Sequence, residues 1–367
     1  MIISDWEGPW VIADHAFEVT KRGVPNGEKL FSVLSEYDDY LAYVRKKPNY
    51  EPGDTLALIA PFLIAYNLDS NFLIQVAKDN ANFIKGALEA IKILEKSGCA
   101  IKIISTSYCQ YVHYTTASAR IPRRNVKCTV FKIDKYIKTV SDKDKSFARQ
   151  KVKKIISYPK LGISATVKEE ELSDTAKRAI QELNEFFWEE LTQMTFKEVL
   201  GNVKPLGGYR KYQAVMDFLN EENEELWNSV VIGDSITDWV MLKKTKEAGG
   251  LAVSFNGNEY AIRNSNLAVI SDTCLIVPLI VDLFRKKGLS GVRELTENWS
   301  YQRVKNAADA GWIDWSLLEA LTTYYGKSLQ NDFPSALWIT EENLEEIIIK
   351  SMEMRKRVRG VTVGSLG

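Results

Sequence analysis

The stretch Ile2–Trp10, IISDWEGPW, sets an Asp and a Glu two residues apart directly behind a short apolar run. Acidic side chains are unwelcome inside a buried strand and expected where the strand emerges. In open α/β sheets that carboxyl edge is where ligands and catalytic groups gather. A second stretch repeats the arrangement: in VVIGDSITDWVML an apolar run ends in Gly-Asp, with a further Asp four residues on. Asp234 and Asp238 thus follow a candidate strand as Asp5 and Glu7 do, and Gly233 permits a tight exit. Carboxylates converging on one point repel each other unless a cation lies between them. Hard oxygen ligands with positions left over suit Mg²⁺, which keeps waters and shares itself with a substrate phosphate. Taken alone, DSITD reads equally as a helix-capping turn, where Asp and Ser are common. The pairing with IISDWEG favours the metal.

These groups need a sheet to hold them. Met1–Ser4 reads as a short buried strand, and side chains two apart at its edge, Asp5 and Glu7, would point to the same side. ALEAIKILEKSG is an amphipathic helix closed by Gly98, and AIKIIS is a β-rich run ending in hydroxyls: half of a βαβ unit. NVKCTVFKI, Asn125–Ile133, alternates like another strand. After the turn at Gly207 and Gly208 the helix RKYQAVMDFL leads into the strand SVVIGDS, and GLAVSFNGN and LAVIS give two more. The expected fold is α/β: a Rossmann-like core with a parallel sheet, in three pieces, 1–12, 84–133 and 202–287. Two mainly helical insertions, 13–83 and 134–201, interrupt it and would cap the carboxyl edge. A helical region, 288–367, follows, and its last residues, RGVTVGSLG, read as a loose tail.

Composition narrows the function. At 367 residues the chain can bury a large core in two or three units. Its 48 Lys and Arg balance 48 Asp and Glu, so no global field draws it to nucleic acid or to an anionic membrane. The four cysteines show no CxxC spacing, which argues against a zinc site or a disulfide framework and for a reducing cytosol. No secretory signal stands at the start, and the longest apolar runs fall short of the ~20 residues that span a bilayer. A cytoplasmic location is expected, with a small molecule as partner rather than nucleic acid or membrane.

With the motifs in this order, the chain resembles the haloacid dehalogenase superfamily, whose phosphatases use Mg²⁺ and an aspartyl phosphate. IISDWE stands where that family has an apolar strand ending in Asp-x-Asp, and IKIIS where it has one ending in Ser or Thr. Lys211 in GGYRKYQAV matches its helix-start lysine, and GDSITD its metal-binding aspartates. The resemblance implies Asp5 as nucleophile and metal ligand, and Ser105, with Thr106 beside it, and Lys211 as phosphate-binding groups. It implies Asp234 as a direct metal ligand and Asp238 as a ligand or an acceptor for metal-bound water. The backbone carbonyl of Glu7 would face the metal, and its carboxyl would serve as acid and base where the family usually has Asp. More narrowly, SDWEGP, FIKGALEAIKIL, STSY, FFWEEL, GGYRK and SFNGNEYA resemble predicted archaeal phosphatases grouped with energy-converting hydrogenase subunits.

The function implied is Mg²⁺-dependent hydrolysis of a small cytosolic phosphomonoester. A phosphotransferase on the same scaffold is one alternative. A non-catalytic scaffold or regulatory subunit is the other, motivated by Glu7 and the long C-terminal region. His113 and the tyrosine and tryptophan clusters read mainly as packing, with Tyr108 a candidate aromatic wall. Arg120, Arg123 and Arg124 read as a solvated loop.

Overall fold

Seven short strands form one sheet in the computed structural model, which describes residues 1–163, 167–326 and 332–364. They are β1 (Ile2–Ser4), β2 (Ile101–Tyr108), β3 (Val126–Thr129), β4 (Val230–Gly233), β5 (Leu251–Phe255), β6 (Leu267–Ile270) and β7 (Ser335–Trp338). Their order across the sheet is β3-β2-β1-β4-β5-β6-β7. The first six are parallel, and β7 is antiparallel to β6. Helices cover both faces, which is why the strands read as continuous apolar runs rather than alternating ones. The expected α/β class is present.

Strand order decides where a site can form. The chain runs outward from β1 to β2 and β3, then returns to β4 on the other side of β1. The carboxyl ends of β1 and β4 therefore flank the point where the winding reverses, the place where such sheets open a crevice for ligands. Ile3 pairs with Val231 across these two strands, and Asp5 N donates to Ile232 O at 2.9 Å.

The segments within 13–83 and 134–201, separate in sequence, share one hydrophobic core. Phe62 stacks on Phe186 at 5.8 Å, Tyr37 Oη donates to Asn184 Oδ1 at 2.6 Å, and Trp188 Nε1 donates to Tyr37 Oη at 2.9 Å. No single helix among the described residues is long and apolar enough to cross a membrane. The most apolar pair, Thr55–Ala65 and Ser70–Asp79, is bent by 116°, and the first of them is buried in this core.

Four local expectations need correction. β2 runs three residues past Ser105, to Tyr108. NVKCTVFKI pairs only over Val126–Thr129; Phe131 and Ile133 turn into the helical core, and a helix begins at Ile133. The region after 288 is not all helix, because β7 covers the edge of β6 that would otherwise stand open. RGVTVGSLG is not a loose tail as far as it is described: Val361–Gly364 is a short helix, and Gly364 O accepts from Arg355 Nε at 3.2 Å. Ser365–Gly367 lie outside the described residues.

Candidate active site

Asp5 is the first residue past β1, and Asp234 the first past β4. Asp5 Oδ1 accepts from Trp6 N at 2.6 Å, while Oδ2 pairs with Lys211 Nζ at 2.8 Å. Lys211 stands on the first turn of the helix Gly208–Glu222 and is fully buried. It also reaches Asp238 Oδ1 at 2.5 Å. Asp238 Oδ2 accepts from Asp234 N at 2.9 Å and Ser235 N at 3.0 Å, so this carboxylate folds the turn that presents Asp234. One oxygen from each of Asp5, Asp234 and Asp238 lies within 4.8 Å of the others. Gly8, at φ 100°, abuts the Asp234 carboxylate so closely that any side chain there would collide with it. The glycine of SDWEGP is thus a steric requirement of the site.

Asp5 and Glu7 share the cavity, but not through strand alternation. β1 ends at Ser4, and the chain turns over the buried Trp6, whose Nε1 donates to Thr115 Oγ1 at 2.8 Å. Glu7 then faces the start of the helix His15–Gly23, where its Oε1 accepts from His15 N at 2.9 Å and Asp14 caps Phe17 N. Two acids at a helix N-terminus are favourably placed. Ser105 is buried within β2, its Oγ accepting from Ser107 N at 3.2 Å, and does not line the cavity. The hydroxyl residues of β2 that do are Thr106 and Ser107. Thr106 Oγ1 donates to Leu206 O at 2.7 Å, and Ser107 Oγ has no partner among the described residues.

Burial, and then the charge of Asp238, pushes the Asp5 carboxyl up to about 8 against the opposing pull of Lys211. Desolvation and the neighbouring Asp14 hold Glu7 well above the usual carboxylate range. Burial works against the Lys211 charge, yet Asp238 and Asp5 overcome it and keep the ammonium protonated. The cluster is short of positive charge.

Two of its cations were hidden from sequence reasoning. Arg355 and Arg359, on the helix Leu344–Arg359, both bind Asp234 Oδ2, the second at 3.1 Å. Arg355 Nη1 also donates to Asp234 O at 3.1 Å, and Arg359 Nε to Ile12 O at 3.0 Å. In the sequence MEMRKRVR is a basic run, ordinarily a solvated face. The available signal was the four-residue stripe Ile347, Ser351, Arg355, Arg359, of which the first three are buried.

Asp5, Glu7, Asp14, Asp234 and Asp238 face Lys211, Arg355 and Arg359. Fully ionised, five acids against three bases leave a deficit of two positive charges. In donor type and in charge, the residues present fit a divalent ion.

A separate group lies on the flank of the sheet. Cys109 and His113, one helical turn apart, meet Cys128 of β3, with all ligand atoms within 4.8 Å of one another. Lack of CxxC spacing concealed it, because the ligands come from one helix and one strand. It offers three ligands where structural zinc sites use four.

No family model matches the chain, and no curated protein matches it. Among solved structures, gene product AF1437 from Archaeoglobus fulgidus is similar over 100% of this chain and 98% of its own, at 26% identity and a TM-score of 0.76. Phosphoserine phosphatase, in its apo form and as a phospho-aspartyl intermediate analogue, aligns with 73% of this chain and 91% of its own at 14% identity. Those TM-scores, 0.41 and 0.42, are too low to carry an assignment.

Proposed function

We propose that the chain is a divalent-metal-dependent phosphatase of haloacid dehalogenase type, acting on a small phosphomonoester through an aspartyl phosphate on Asp5. The observation that carries this reading is the convergence of Asp5, Asp234 and Asp238 around Lys211 at the switch point of the sheet. Mg²⁺ is the ion these oxygens suit; Asp5 and Asp234 would hold it, with Asp238 and the Glu7 carbonyl alongside. When bound it supplies the missing positive charge, which favours ionised Asp5 and neutralises phosphate.

The chain's own residues divide the chemistry. Asp5 attacks phosphorus and the ester P–O bond breaks. The leaving oxygen takes a proton from Glu7, whose carboxyl is held well above the usual carboxylate range by burial and the neighbouring Asp14. Lys211 offers a compact charge to the phosphoryl oxygens, and Thr106 and Ser107 are the cavity-lining hydroxyl groups nearest to hand, Ser105 lying behind them in β2. In the second half Glu7, now a carboxylate, takes a proton from water. The water oxygen attacks phosphorus, the Asp5 O–P bond breaks, and phosphate leaves. The helical unit over the cavity limits entry to a small substrate and excludes bulk water.

Our reading keeps the substrate a small metabolite in the cytoplasm, with no nucleic acid or membrane partner. The narrower likeness to phosphatases grouped with hydrogenase subunits adds no partner to it. The test is phosphate release by the full chain from p-nitrophenyl phosphate and a panel of small esters, with Mg²⁺ and with EDTA. Metal-dependent release is expected. No release from any ester would sink the reading. Phosphate moved to an added alcohol would favour the phosphotransferase, and a stably captured partner without turnover the scaffold.

A further inference from the structure

The cavity, about 120 Å³, has two unlike ends. At the sheet end Asp234 is bound by Arg355 and Arg359, and Arg359 also pulls on Glu7 and Asp14. At the cap end stand Asp38 and Asp39, the last two residues of the helix Gly27–Asp39. Among the described residues neither forms an ion pair. Asp38 accepts from Tyr50 Oη at 2.6 Å and from Gly53 N at 3.0 Å, both neutral donors. The Asp39 carboxylate has no hydrogen-bond donor among the described residues. The nearby Asp54 makes a useful contrast, since Arg210 binds both its oxygens, at 2.5 and 2.8 Å. A cation pairs with Asp54, and none among the described residues pairs with Asp38 or Asp39.

An acidic pair alone would say little, but a second feature of the same cavity also lacks a partner. Ser107, 2% exposed, lines the cavity from β2, and its Oγ meets no hydrogen-bonding group among the described residues. Buried polar atoms are almost always satisfied, so an orphan hydroxyl in a cavity wall points to something that enters. Desolvation, and then the like charges of Asp54 on Asp38 and of Asp38 on Asp39, raise both carboxyls, Asp38 to about 7. Among the described residues, none of the strongest influences on either carboxyl is a base. Acids so placed lack a counter-charge, and a bound cation would return them to the ionised state.

We propose that the cap end of the cavity receives a positive charge carried by the substrate: the ester is the phosphate of a small amine, with its ammonium group beside Asp38 and Asp39. The inference rests on the phosphatase reading and adds the substrate class to it. Phosphate would lie at the Asp5 and Lys211 end, the ammonium at the other, and Phe31 and Leu56 would flank the few carbons between. A second phosphate or a carboxylate at the cap end would face two acids without a counter-charge among the described residues, a like-charge encounter that disfavours binding. Specificity then comes as much from rejecting dianionic and carboxylated metabolites as from attracting amines.

Three esters of matched size test this with the full chain and Mg²⁺: 2-aminoethyl phosphate, ethyl phosphate and phosphoglycolate. The expected order of kcat/KM is amine, then neutral, then acid, with at least ~10-fold between the first two. Asp39→Asn, and separately Asp38→Asn, should reduce the ratio of amine to neutral ester, chiefly through the KM of the amine. An equal or reversed order, with all three esters turned over, overturns the substrate class and leaves the phosphatase reading standing. An unchanged ratio in both variants overturns the assignment of the two aspartates. Turnover of no ester, p-nitrophenyl phosphate included, is the failure of the phosphatase reading itself.

Discussion

At the carboxyl edge of β1 and β4 the charged groups arrive on strand ends. On the opposite side of Asp234 they arrive on the 16-residue helix Leu344–Arg359, more than a hundred residues further along the chain. The strand-end acids are fixed by short-range geometry: a buried strand, a glycine that clears space, a turn closed by Asp238. The arginines are fixed by the docking of a whole helix on β6, through Ile347 against Ile262 and Ala268. The first arrangement is built into the sheet itself, whereas the second depends on the packing of one helix against it. On the proposed reading, nucleophile and metal ligands stand at the strand ends, and the helix supplies cations with which a divalent ion would compete.

The largest effect should come from the strand side. Asp5→Asn keeps the shape but loses the nucleophilic oxygen, and steady-state turnover should fall by roughly 10⁴–10⁶-fold. Ordinary activity in that variant would place the nucleophile elsewhere. Glu7→Gln should slow leaving-group protonation and hydrolysis of the aspartyl phosphate by roughly 10²–10⁴-fold. The loss should shrink on an aryl ester where formation of the intermediate limits the rate, and equal losses on aryl and alkyl esters would argue against an acid-base role.

The helix side predicts a different signature. Arg355→Gln removes one partner of a buried ion pair and should cost about 3–5 kcal/mol of stability without a divalent ion. Adding Mg²⁺ should restore part of this, and a Mn²⁺ titration followed by electron paramagnetic resonance should show tighter binding than in the parent. Unchanged or weaker Mn²⁺ binding would make Arg355 a supporting contact rather than a competitor of the metal.

How much of this was legible follows the same division. IISDWEG and VVIGDSITD announce themselves because acids behind apolar runs have few structural uses, and strand order then brings them together. Lys211 was legible only through the family resemblance, as the lysine at the start of the helix that follows the Gly-Gly turn. Arg355 and Arg359 were not, because a basic run on a helix normally faces water, and only tertiary docking turns this stripe inward. Ser107 was missed for a smaller reason: β2 was expected to end at Ser105 and runs on to Tyr108.

A pH experiment sharpens the contrast at smaller amplitude. Asp5 is raised from 3.8 to about 8 in the folded chain, so the stability it contributes is complete below pH ~4 and is lost as pH rises toward 8. His15 has the opposite dependence: burial lowers it to about 4, so its contribution is lost as pH falls below 6.5. Between pH 6.5 and 8 the carboxylates dominate. Thermal unfolding without divalent ions should shift downward across that window, and Mg²⁺ should flatten the slope. A flat profile without metal would mean that the cluster is already neutralised. Smallest of all, Tyr37→Phe removes the hydroxyl joining the two helical segments through Asn184 and Trp188. It should cost about 1 kcal/mol in chemical denaturation. No change would mean that the apolar contacts alone hold the segments together.

On the proposed reading Asp5 carries the phosphoryl group during turnover. Rapid acid quench of the full chain turning over a ³²P-labelled ester, followed by peptide mapping, tests it most directly. Label on the peptide containing Asp5, absent from Asp5→Asn and lost on a chase with unlabelled ester, is the predicted result. Steady turnover with no label on the protein, or label on another residue, would contradict it.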